Sequence, residues 1–181
     1  MGLAVCKLNI KQIRLIPKNG YIVLEFIHEV PDIKPKTDNK RYMSIDLGIN
    51  NLCSCSSNVI NSFIVNGKPI KSINQYYNKQ VAKYKSICET VNHVKTSKKI
   101  QRLNYKRTNK IDDYFHKVSR YIVNQLVSNN INTLVIGHNN YWKQDTKLGK
   151  KTKQNFIQIP FNKLIQMLSY KCQLVGINCV I

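Results

Sequence analysis

The residue best placed to do chemistry is Asp46, in the run Ser44-Ile45-Asp46-Leu47-Gly48-Ile49-Asn50. It closes a β-prone segment over residues 41–47. A carboxylate at a strand end can hold a divalent cation at the edge of a sheet. Gly48 then lets the backbone turn away and a substrate come close. By itself such an Asp reads first as a turn residue, so its surroundings must decide. A second group is cationic. Lys95, Lys98, Lys99, Arg102, Lys106, Arg107 and Lys110 crowd one stretch with no acid among them. Charges this dense repel one another without a polyanionic partner, the alternative being a solvated helical face. Lys143, Lys147, Lys150, Lys151 and Lys153 form another run. Tyr141 and Trp142 beside it can stack on bases or pack at its rim.

The other candidates are weaker. His138 can serve as a metal ligand, but Mg²⁺ prefers oxygen. Asp112 and Asp113 suit pairing with Lys110 and Lys117 on a helix surface, and Asp145 lies in lysine-rich sequence and is expected to be solvated. Cys53 and Cys55 form a C-x-C pair on one strand face. Two ligands without a second pair cannot close a tetrahedral zinc site, so no zinc site is expected within the chain.

The balance of the whole chain supports a polyanionic partner. It has 29 Lys and Arg against 9 Asp and Glu, a net charge of +20, and a pI near 9.8. Nucleic acid is the first expectation and an anionic membrane surface the second. The Lys, Asn and Ile richness also fits an AT-rich coding sequence, which does not account for the scarcity of acids. With 43% hydrophobic residues and a mean hydropathy of -0.34, the chain is expected to fold around a core. No apolar run approaches the roughly 18 residues of a membrane span, and the start lacks a signal-peptide pattern. The six cysteines, irregularly spaced, point to a reducing compartment. A cytoplasmic location, nucleoid-associated in a bacterium, is the expectation, with no membrane partner.

These groups need elements to position them. Residues 3–30 read as a β-hairpin, with arms at 10–16 and 21–30 around Pro17-Lys18-Asn19-Gly20. Residues 31–40 read as a polar linker. Strands are expected over 41–47, 51–57 and 59–65, closed by an Asn66-Gly67 turn. Ile70, Tyr77, Tyr84 and Val91 recur every seven residues, with Ile73 and Ile87 between them, which predicts the seam of a helix packed on a helix. Lys71, Lys79, Lys83 and Lys85 mark its opposite face. Thr96 or Ser97 can cap a second helix carrying Ile100, Leu103, Ile111, Phe115, Val118, Ile122 and Leu126. A strand over 132–136 ends at Gly137, and residues 139–158 read as a polar loop. Pro160 opens a helix with Phe161, Leu164, Ile165, Leu168, Cys172 and Val175 inward and Gly176 at its end. A last strand begins at Ile177. The chain ends inside it, so later elements are expected to be missing.

Several stretches together resemble the TnpB (OrfB) family, accessory transposases of insertion sequences related to type V CRISPR effectors. They are Arg41–Asn58, then Phe63–Lys79, Leu103-Asn104 with Lys106-Arg107, Asp113–Ile122, Val135-Ile136-Gly137 with Trp142-Lys143-Gln144, and Gln154-Asn155-Phe156 with Ile159-Pro160-Phe161. The resemblance implies an α/β fold. Its mixed sheet would be RNase H-like and RuvC-type, with a long two-helix insertion. It divides the chain into 1–40, the end of a wedge-like β domain, and 41–181, a partial RuvC-like nuclease domain truncated at its C-terminus. It implies DNA and a guide RNA as partners and an Mg²⁺-dependent DNA endonuclease in which three acids hold two ions. Asp46 matches the first acid, catalytic and metal-binding. The second, a Glu, normally stands where this chain has Gly137. The third acid would lie beyond Ile181. The chain is therefore expected to bind nucleic acid and to be inactive by itself. The alternative is a non-enzymatic, basic nucleic-acid-binding remnant or domesticated protein.

Overall fold

The computed structural model describes residues 9–18, 21–91, 93–138 and 149–181. The elements run β1 (Ile10–Lys18), β2 (Tyr21–His28), β3 (Tyr42–Leu47), β4 (Asn51–Ser57), β5 (Phe63–Asn66), α1 (Lys68–Val91) and α2 (Lys98–Ser128). Then come β6 (Thr133–Ile136), α3 (Lys150–Ile157), α4 (Phe161–Gln173) and β7 (Asn178–Val180).

β1 and β2 form a separate antiparallel sheet, with Pro17 and Lys18 inside β1 and paired to Ile22 and Tyr21. The remaining strands form a mixed sheet in the order β5-β4-β3-β6-β7. β3 is central. It pairs antiparallel with β4 and parallel with β6, Ile45 standing opposite Ile136. The strands expected over 41–47, 51–57 and 132–136 are present and lie side by side in this mixed sheet. The third strand is shorter than expected, starting at Phe63 rather than at 59.

Period-two alternation decides which face is inside. Met43, Ile45 and Leu47 are buried, while Tyr42, Ser44 and Asp46 are exposed. The buried face packs under α2 and α4, whose Phe115, Ile122, Leu126, Phe161, Leu164 and Leu168 join the same core. α2 has 31 residues, a length of about 46 Å at the helical rise. Ser97 caps it, its hydroxyl accepting from the Ile100 amide.

The α1 seam differs from the expectation in its C-terminal half. Ile70, Ile73, Tyr77 and Tyr84 face inward as expected, Ile73 packing against the core, but the stripe also takes in Asn74, Val81 and Cys88. Ile87 is 42% exposed and Val91 69% exposed. A four-three spacing keeps residues 70, 74, 77, 81, 84 and 88 on one stripe, which an isoleucine at 87 leaves. Residues 149–158, expected as loop, contain helix α3. Pro160 stands just before α4, and the helix proper begins at Phe161. Gly176, at φ +69°, ends α4 with the Schellman pair of bonds, Ile177 N–H to Cys172 O (2.9 Å) and Gly176 N–H to Gln173 O (3.1 Å).

Residues 31–40 form no helix or strand but are fastened down. The Lys36 amide donates to Gly176 O (2.8 Å), Asn132 Nδ2 to Thr37 O (2.8 Å), and Asn39 Nδ2 to Asn130 O (2.7 Å). The linker is a strap across the ends of α2 and α4.

The seam assignment is testable. Phe115→Ala should cost about 3–5 kcal/mol in denaturant unfolding, because the ring is fully buried. Ile87→Ala should change stability by no more than about 0.5 kcal/mol. A large loss at Ile87 would restore the seam expected from the sequence.

Candidate functional site

Asp46 is the next-to-last residue of β3, on the exposed face of the sheet, beside Ser54 of β4. On its other side the Gly137 amide donates to Ile45 O (2.9 Å), extending the β3–β6 ladder by one bond. Gly48 turns the chain back. A Cβ there would lie 2.8 Å from Asn51 O, closer than a side chain permits. The resulting pocket, about 570 Å³, is lined by Ser44, Asp46, Ser54, Ser56, Ser62 and Gly137 together with apolar residues. No second acid among the described residues lines it, and no three His, Cys, Asp or Glu side chains cluster there or elsewhere among them.

Asp112 and Asp113 lie on α2, each held in an ion pair. Asp113 binds Lys117 (2.7 Å), and Asp112 binds Lys163 of α4 (2.6 Å) rather than Lys110. His138 is half-buried. Asp145 lies outside the described residues. Cys53 and Cys55 are buried core residues. Burial pushes the Cys55 thiol up to about 12 and the Cys53 thiol higher still, so neither offers a thiolate near neutral pH.

Lys95, Lys98, Lys99, Arg102, Lys106 and Lys110 are exposed along the start of α2 and the turn before it. Arg107 departs from the group. It is half-buried. Its Nε donates to Asn74 Oδ1 (2.6 Å), its Nη2 donates to Gln158 O (2.9 Å), and its guanidinium sits 5.1 Å from the Tyr77 ring centre. Desolvation lowers its pKa. Arg107 therefore ties α1, α2 and the end of α3 together, where the sequence grouped it with phosphate ligands. In the second run Lys150 and Lys151 open α3 and Lys153 is exposed. Tyr141, Trp142, Lys143 and Lys147 lie outside the described residues.

Two features escaped sequence reasoning. Lys171, on the apolar face of α4, is 4% exposed and donates to Ser119 Oγ (2.6 Å) and His116 O (2.9 Å) of α2. Burial, with Arg120 close by, lowers its pKa. The other is a cleft between α1 and α2 walled by Tyr76, Tyr77 and Tyr84 on one side and lysines on the other. Tyrosines on neighbouring faces of one helix, opposite a lysine-rich one, were the available signal.

A mixed sheet with an acid near the end of its central strand, beside a helix whose start is lined with exposed cations, defines an α/β protein. The chain belongs to the OrfB_IS605 family, described as probable transposase, which matches residues 25–153. No curated protein sequence matches it. Among solved structures it is similar to a Cas12f1 in a cryo-electron microscopy complex with sgRNA and target DNA. That match has TM-score 0.63 and 16% identity, covering 86% of this chain and 31% of that one. A CRISPR-Cas12f ternary complex gives TM-score 0.59 and 14% identity, with 96% and 35% covered. This chain thus spans about a third of the length of either.

The role of Arg107 predicts a stability effect. Arg107→Ala should cost about 1–3 kcal/mol, because Asn74 Oδ1 and Gln158 O would lose their donor. Lys106→Ala, one residue earlier and exposed, should be nearly neutral in the same thermal or denaturant melt.

Proposed function

We propose that residues 41–181 form an RNase H-like, RuvC-type core of a TnpB-type protein, with Asp46 as the first acid of its site. The observation that carries the reading is the placement of Asp46 at the end of a central strand, paired in parallel with β6 so that Gly137 lies beside it. Similarity to Cas12f in fold and membership of the transposase family support it. Residues 1–40 would belong to a preceding β domain. The hairpin's exposed Ile13, Leu15, Ile22, Leu24 and Phe26 are consistent with a face that further strands cover. The partners are DNA and, as in the sgRNA complex of the Cas12f1 relative, a guide RNA. No described helix is long and apolar enough to cross a membrane.

The described residues do not fit a two-ion Mg²⁺ site. Two octahedral ions call for about a dozen ligand positions shared by protein, water and substrate, and one carboxylate stands here. What these residues do support is phosphate binding along α2. Its exposed cations meet a backbone by charge alone, so base sequence should matter little.

The 181-residue chain should bind DNA and RNA with affinity that falls steeply with salt. Each neutralised phosphate contributes about 0.9 to the log-log slope on duplex DNA. Changing Lys98, Lys99, Arg102 and Lys106 together to Ala should flatten that slope while Arg107 keeps the fold. An unchanged slope would make the run a solvated face.

With Mg²⁺ or Mn²⁺ this chain by itself should not nick DNA above the level of its Asp46→Ala variant. Cleavage that the variant loses would show that a second acid reaches Asp46.

A further inference from the structure

The cleft between α1 and α2 encloses about 550 Å³, within the range of small-ligand sites. One wall carries Tyr76, Tyr77 and Tyr84, the other Lys99, Lys106 and Lys110, and no acid among the described residues lines it. We propose that it takes an unpaired stretch of single-stranded nucleic acid, one base stacking on Tyr76 and the flanking phosphates lying along Lys99, Lys106 and Lys110. The proposal deepens the reading of the chain as a nucleic-acid-binding protein and rests on it.

The two walls divide the work. Tyr77 is covered by the Arg107 guanidinium at 5.1 Å and Tyr84 by Lys99 Nζ at 5.2 Å. These cation–π contacts hold positive charge at fixed points of the wall. Tyr76 keeps 61% of its surface exposed, a large ring turned to water at the cleft mouth. A base offers such a ring a π-face whatever its sequence. Lys106 and Lys110 stand one helical turn apart, about 6 Å along the axis, so successive phosphates can engage them in turn. The floor is already built, because Arg107 is fastened to Asn74 and Gln158, and little ordering is left for the ligand to drive. A duplex keeps its bases inside and can touch only the lysines. Strandedness therefore separates this cleft from general phosphate binding.

The test uses fluorescence anisotropy with labelled oligo(dT), oligo(U) and a DNA duplex. The proteins are the full chain and its Tyr76→Ala and Tyr76→Trp variants. Tyr76→Ala should weaken single-strand binding about tenfold, the size of one lost base stack, and leave duplex binding unchanged. Tyr76→Trp should keep or tighten single-strand binding. A loss confined to oligo(dT) assigns the cleft to DNA, and one confined to oligo(U) assigns it to RNA; either supports the site. Equal loss on duplex and single strand, or none, overturns it while general binding stands. Wild-type protein that binds no probe would overturn the broader reading and the cleft with it. Because the ring is exposed, the melting temperature of Tyr76→Ala should match wild type; a clear fall would make Tyr76 a packing residue and overturn the proposal. Ultraviolet crosslinking of bromodeoxyuridine or bromouridine oligomers gives a second readout. Adducts should map to the Tyr76 peptide, and adducts mapping only elsewhere would overturn the site.

Discussion

Three buried side chains on β3 set the architecture. Met43, Ile45 and Leu47 are each under 5% exposed, and their strand is flanked on both sides. A central strand with one apolar face must be covered, and a packed helix is one of the few stable covers. α2 supplies it through Phe115, Ile122 and Leu126, and α4 completes it. After α1 and α2 the chain returns to the free side of β3, where β6 pairs with it in parallel. The same alternation that buries Ile45 turns Asp46 outward at the strand's end. The site is thus a by-product of covering the core, and it needs no separate device to hold it.

The charge is accommodated by position. Each of the three ion pairs among the described residues joins a lysine to an acid, and a chain of net charge +20 has few acids to spare. Cations that fold inward are satisfied by neutral acceptors: Arg107 by an amide oxygen and a carbonyl, Lys171 by a hydroxyl and a carbonyl. These cost desolvation and are the ones whose pKa values fall. The exposed lysines at the start of α2 have no such compensation from the sequence around them. Like charges at this density repel one another, and under the proposed function phosphates would take the place of counterions and relieve that repulsion.

The strands were legible because period-two burial writes itself into β3 as Met, Ile and Leu alternating with Tyr, Ser and Asp. The start of α2 was legible through Ser97, where capping chemistry is local. What stayed hidden depends on partners distant in sequence. Ile87 fits a seam as well as Cys88 does until α2 is in place. α3 has helix-forming Lys and Gln but a short apolar stripe, so composition suggested a loop. Arg107 looks like its neighbours because nothing local announces Asn74 or Gln158. The strap over 31–40 is polar and proline-containing like any linker, and its fastening to Gly176 and Asn132 is long-range. The cleft needed both helices before its walls could be seen to face each other.

Gly48 and Gly137 flank the same carboxylate for different physical reasons. At Gly48 a Cβ would collide with the Asn51 carbonyl at 2.8 Å, so the sharp return after the acid requires glycine. At Gly137 the nearest atom to a Cβ is Ile45 O at 3.5 Å, an ordinary contact, so the backbone would accept a side chain. The place beside Asp46 is therefore open without the fold demanding it. Around it the pocket presents neutral hydroxyls from Ser44, Ser54, Ser56 and Ser62. A single exposed carboxylate among hydroxyls, in the field of a chain of net charge +20, draws a cation weakly. That same field draws a polyanion strongly. Cation capture and polyanion capture make opposite demands on one surface. Among the described residues the exposed cations of α2 suit the second demand, as the proposed function requires, and the first, at the end of β3, falls to one acid.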